Sequence, residues 1–183
     1  MPNRMVKGWR TVNRTALLGC LWMAGLLGAL TWLDLRDGAC LLLPPFAATL
    51  TILVYLPDTP VARPVAVVCG SVFGAATGTV FSLVLGPGAG VAMLAALAAM
   101  ITLPLLRVFH PPGTALAICP ALLHLGPWFA LEVVLPFTLV AVISWAVISR
   151  LLRGLPRYPI TPSIGTGRSE LEEPRRRHCR PWR

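Results

Sequence analysis

Apolar runs of bilayer length recur along this chain, and each is bounded by charge, proline or glycine. A helix needs about 20 apolar residues to cross a hydrocarbon core. Runs of that order occupy 16–33, 39–56, 65–85, 89–106 and 129–148, and a shorter one occupies 114–125. Between Gly38 and Leu106 the only charged residues are Asp58 and Arg63, and between Pro111 and Ser149 the ionisable groups are His124 and Glu132. Lipid offers no hydrogen bonds, so such runs must satisfy their backbone internally. The pattern predicts an all-α, polytopic membrane helical bundle of short, partly broken spans.

Composition argues against both a soluble domain and a nucleic-acid binder. With 56% hydrophobic and 13% charged residues, the chain falls outside the range of soluble globular domains. The net charge of +9 would suit nucleic acid, but a nucleic-acid reader interleaves basic with polar or aromatic residues on one face. Here the basic residues flank apolar runs instead, which is how spans are oriented. Cys20, Cys40, Cys69 and Cys119 lie within apolar runs and read as packing residues, with Cys179 in the tail.

The organisation follows from the flanks. Arg4, Lys7, Arg10 and Arg14 mark 1–15 as a basic cytoplasmic N-terminus, and the run after it reads as a retained span rather than a signal peptide. Residues 16–153 form the membrane domain. Residues 154–183 are Pro- and Arg-rich and predict a disordered basic tail. Six crossings with both termini inside place 15 of the 16 basic residues in the cytoplasm, leaving out Arg36 between Asp34 and Asp37. Four spans with two re-entrant segments is the runner-up. The expected location is a bacterial inner (plasma) membrane.

Pro44-Pro45-Phe46-Ala47-Ala48-Thr49 and Pro111-Pro112-Gly113-Thr114-Ala115 each open the middle run of a set of three. Paired Pro-interrupted segments in two halves suggest a 3+3 inverted repeat, a transporter pattern. At a Pro-Pro break, a new helix begins whose first N–H groups have no intrahelical partner and whose dipole favours an anion. The candidate substrate-binding residues are therefore Pro45, Ala48, Thr49, Arg63, His110, Pro111, Pro112, Gly113 and Thr114, with Thr51 and Arg107 in support. Proline kinks also serve packing alone, and Arg63 and Arg107 stand where the charge rule puts them anyway. Glu132 reads as an ion path or an interfacial residue. Gly70, Gly74 and Gly78, beside Ser71, Ala75 and Thr79, form ridges for close helix packing. No catalytic constellation, metal-ligand spacing or cofactor motif is legible, so neither an enzyme nor a cofactor is expected.

At His110-Pro111-Pro112 the chain resembles the HPP family of integral membrane proteins. Pro45-Phe46-Ala47-Ala48-Thr49 is similar to the family's Pro-x-Gly-Ala-Ser segment, 58–64 to its Ser-Pro-Leu-Ala-Gln-Pro segment, and Arg157-Tyr158-Pro159 to its closing Arg-Tyr-Pro. The resemblance covers roughly 39–159. Departures are a shorter Gly113-Thr114-Ala115, Cys69-Gly70-Ser71 where the family has Gly-Gly-His, and Ser149-Arg150 near its Asn-Asn. The family is described as four-span, and some plant and cyanobacterial members are linked to nitrite transport. The resemblance thus implies a transporter of nitrite or a similar small inorganic anion. The implied partners are the lipid bilayer and that anion, with no nucleic acid and with homo-oligomerisation left open. The rival expectation is a non-transporting membrane scaffold or regulator.

Overall fold

The computed structural model describes residues 3–37, 44–152, 155 and 157–159, with side chains of the first helix described from 16 to 36. Seven helices follow in order: α1 (Asn3–Asp37), α2 (Pro44–Tyr55), α3 (Pro64–Leu85), α4 (Ala89–Leu105), α5 (Pro111–Leu116), α6 (Cys119–Leu123) and α7 (Leu135–Leu151). A 3₁₀ turn at Pro60–Ala62 precedes α3, and a π turn at Ala130–Val134 leads into α7. Among the described residues there is no strand.

Among the described residues, three stretches are long and apolar enough to span a bilayer: Ala16–Arg36, Pro64–Leu85 and Ala130–Leu151. Shorter apolar helices lie between them: Pro44–Tyr55, Ala89–Leu105 and the α5–α6 pair. At 1.5 Å per residue, the 12-residue α2 reaches only about 18 Å, against a hydrocarbon core of about 30 Å. Short helices of this kind are tolerated in lipid where protein encloses their broken ends.

The packing alternates in direction. Tyr158 ties the end of α7 to the start of α3, since its backbone N–H donates to Ser149 Oγ at 3.1 Å and its hydroxyl to the Ala62 carbonyl at 2.8 Å. His110, heading α5, bonds Val61 at this same end. At the opposite end Gly88, before α4, donates its N–H to the Ala121 carbonyl at 3.0 Å. α5–α6 therefore travels from one end of the bundle to the other and does not turn back, which sets aside a re-entrant path for this segment. α1 lies antiparallel to α7, with Trp22 Nε1 donating to Ser144 Oγ at 3.0 Å near one end and Leu33 beside Val133 toward the other. α5–α6 thus runs parallel to α3 and α1 antiparallel to α7 within one helical bundle.

Glycine sets the closest contact. Along α3, Gly70, Gly74 and Gly78 lie against Val108 and His110, Gly113, and Ala117 in turn. A Cβ at Gly74 would overlap the Gly113 carbonyl, and one at Gly78 the Ala117 carbonyl. The small-residue ridge thus seats α3 parallel to the chain from Val108 to Ala117, backbone on backbone. On the other side Phe46 stacks on Phe137 with centroids 4.0 Å apart, and Trp22 meets Trp145 at 4.8 Å.

Two features add to the boundaries the sequence predicts. α1 begins at Asn3, so the helix of the first apolar run extends back through the basic N-terminal residues. The fifth run divides into α5 and α6, because Pro120 supplies no N–H to carry one helix through. Residues 39–43, the start of the second run, and most of the tail lie outside the described residues.

Candidate functional site

His110 is fully buried and supplies the N-cap position of α5 in extended backbone. Two prolines follow, which fix φ and suit the first turn of a helix. The preceding turn aims the ring. α4 ends with Arg107 N–H donating to the Pro104 carbonyl at 2.9 Å and Val108 N–H to the Leu103 carbonyl at 3.1 Å, a Schellman pair with Arg107 left-handed at φ 58°. Glycine is the usual occupant of that position. The seat behind His110 exists because Gly70 lacks a side chain, since its Cβ would press on His110 Cβ.

Both imidazole nitrogens have protein partners. Nδ1 lies 2.9 Å from the Val61 carbonyl, and Nε2 lies 3.1 Å from Thr49 Oγ1. A carbonyl only accepts, so Nδ1 carries the proton and donates. In the neutral ring Nε2 is then an acceptor, and the Thr49 hydroxyl donates to it. The Pro45 carbonyl, 3.0 Å from the same hydroxyl, competes for that single proton. Val61 and Ala62 are adjacent carbonyls, one held by His110 and the next by Tyr158. The turn before α3 thus collects bonds from α5 and from the segment after α7, and His110 links it to α2.

The structure brings Pro45, Thr49, His110, Pro112 and Gly113 together as buried residues on the contact between α2, α3 and α5. Thr114 is half-buried, while Ala48, Pro111, Arg63 and Arg107 are exposed. At the head of α5 some of the expected donors are already engaged. Pro111 and Pro112 have no N–H, and Gly113 spends its own on the His110 carbonyl at 2.8 Å. The Thr114 hydroxyl donates to the Pro111 carbonyl and that of Thr51 to the Ala47 carbonyl. The two prolines of the start cannot donate, and the Gly113 amide closes a turn.

Sequence reasoning missed three participants. Tyr158 was legible only as part of a motif, and the Val61 carbonyl carries no signal at all. Ser71, placed among packing residues, is fully buried with its hydroxyl unpartnered among the described residues. Its backbone N lies within 3.3 Å of where a Gly113 Cβ would stand. Among the described residues no group of three or more His, Cys, Asp or Glu could hold a metal ion.

The fold defines the class: a polytopic helical membrane protein whose short broken helices meet at a buried polar cluster. A family model described as the HPP transmembrane region matches residues 6–159. The chain belongs to the HPP family. No curated protein and no solved structure matches it.

Proposed function

We propose that the chain carries a small anion such as nitrite across a membrane, with the Thr49–His110 pair and the buried Ser71 of α3 on its path. The observation that carries this reading is the buried Ser71 hydroxyl on α3, which has no partner among the described residues on a helix packed backbone to backbone against α5. Buried polar groups are ordinarily bonded, and an exception calls for water, an ion or a function. His110 and Thr49 add a donor and acceptor pair whose protons are redistributable. Arg63 and Arg107 stand exposed at the bundle end that also holds Arg150 and Arg157, while the opposite connections at 86–88 and 124–129 hold no Lys or Arg. By the charge rule the basic end faces the cytoplasm, and the arginines there would raise the local anion concentration. Arg107 occupies a left-handed position that glycine would fill with less strain, which supports a role for its charge.

Transport requires the α2–α5 contact to open, since the donors at α5 are folded onto their own chain. The two oppositely directed broken helices are the elements to move, as in rocking repeats. The scaffold reading draws on one specific observation, the backbone-on-backbone seating of α5 on α3, which resists such motion. Nitrite uptake into proteoliposomes, with and without an imposed pH gradient, separates the two. Uptake above empty liposomes that falls in His110→Ala and Ser71→Ala supports the transporter. No uptake of nitrite, nitrate or chloride under either condition supports the scaffold.

A further inference from the structure

Away from the polar cluster, α1 and α7 diverge to leave an apolar groove of about 250 Å3. Leu26, Ala29, Leu30 and Leu33 form one wall, and Val133, Pro136, Phe137 and Val140 the other. One carboxylate, Glu132, lines the same groove. Glu132 is exposed, and it has no hydrogen-bond or ion-pair partner among the described residues. It lies within the π turn of Ala130–Val134, where one extra residue per turn rotates the helix face.

The level of the groove's charged end is fixed by aromatics. Trp32 on α1 and Trp128 before the π turn are 58% and 61% exposed, and both stand close to groove-end residues in sequence. Exposed tryptophans gather at the headgroup region. Arg36, one turn beyond Leu33 on the same face of α1, lies over the Trp32 ring at 5.5 Å. The groove therefore carries one carboxylate, from the π turn before α7, at the end of a slot with apolar walls, while Asp34, Arg36 and Asp37 follow Leu33 in the α1 sequence.

We propose that this groove is a binding site for a zwitterionic aminophospholipid. The primary ammonium of the headgroup pairs with Glu132, and one acyl chain occupies the slot. The groove is smaller than the roughly 300–1,000 Å3 of pockets that enclose compact ligands, and suits a single chain better than a bulky solute. Charge order selects the headgroup, because an anionic glycerol headgroup offers Glu132 no cation. This site is independent of the proposed transport path.

The test is lipid retention by the full chain, purified in detergent and exposed to equimolar phosphatidylethanolamine and phosphatidylglycerol of identical acyl chains, read by native mass spectrometry. The wild type should retain the ethanolamine lipid in preference by about two- to fivefold, the scale of one exposed ion pair. Glu132→Gln should erase the preference while still retaining lipid. Ala29→Trp, which fills the slot, should reduce retention of both lipids; if it does not fold, the comparison of wild type with Glu132→Gln decides alone. Equal retention of the two lipids by the wild type, or an unchanged preference in Glu132→Gln, would overturn the site.

Discussion

His110 and Thr49 are 61 residues apart in the chain, and their Nε2 and Oγ1 atoms are 3.1 Å apart in the fold. This bond joins α2 to α5, the middle transits of the two halves, while Nδ1 of the same ring holds the turn before α3. The two contacts predict strong coupling. Thr49→Val leaves Nε2 without its donor, and His110→Ala leaves the Val61 carbonyl unpaired, at about 1–3 kcal/mol each for a buried group. The double variant should cost less than the sum by at least about 0.5 kcal/mol, and additive losses in detergent unfolding would argue against a direct bond. Thr49→Ser should stay near wild type.

Gly74 and Gly25 should respond oppositely to alanine. A Cβ at Gly74 meets the Gly113 carbonyl, a backbone atom that cannot step aside, so Gly74→Ala should lose more than about 1–3 kcal/mol or fail to fold. Gly25, in α1, has nothing within 4 Å of such a Cβ. Gly25→Ala should gain about 0.5–1 kcal/mol through helix propensity. Equal melting temperatures for the two variants would contradict the α3–α5 contact.

Arg107→Gly separates strain from charge. Removing a left-handed non-glycine residue should stabilise the fold by about 1 kcal/mol. If the guanidinium gathers anions at the mouth, nitrite uptake should nevertheless fall, and fall less at high salt, because screening already weakens the wild type there. A variant that is more stable and equally active would remove Arg107 from the transport account.

Tyr158 lies beyond α7, and burial pushes its phenol above the ordinary value of 10.0. Its neutral form is the one the fold favours. The sign follows: the folded pKa is raised, so the contribution is whole below pH about 10 and is lost as pH rises from there toward the folded value. Wild-type stability should fall more steeply above pH 10 than that of Tyr158→Phe. At neutral pH that variant should lose about 0.5–1.5 kcal/mol with the bond to the Ala62 carbonyl. Parallel alkaline curves would contradict the assignment.

Much of the bundle was legible because lipid leaves the backbone few choices. The long runs at α3 and α7, the break at Pro44-Pro45 and the Gly70-Gly74-Gly78 ridge all carry local chemistry that reads directly. Legibility stopped where partners come from distant residues. No local pattern around Val61 says that its carbonyl receives His110, and nothing around Ser71 distinguishes a packed serine from an orphaned one. At Gly113, too, the partner was not readable from local pattern, because the turn at His110 takes Gly113's N–H. The groove beside Glu132 was invisible because it exists only between α1 and α7, the first and last helices, which are far apart in the chain.

The most direct test of the transport claim is counterflow. Proteoliposomes loaded with unlabelled nitrite are diluted into a trace of isotopically labelled nitrite, so that accumulation reports exchange through the protein without an imposed gradient. Transient accumulation in the wild type, strongly reduced in a folded Ser71→Ala and in Thr49→Val but kept in Thr49→Ser, is the predicted result. Traces that overlay those of empty liposomes, from protein whose melting transition is intact, would contradict the claim.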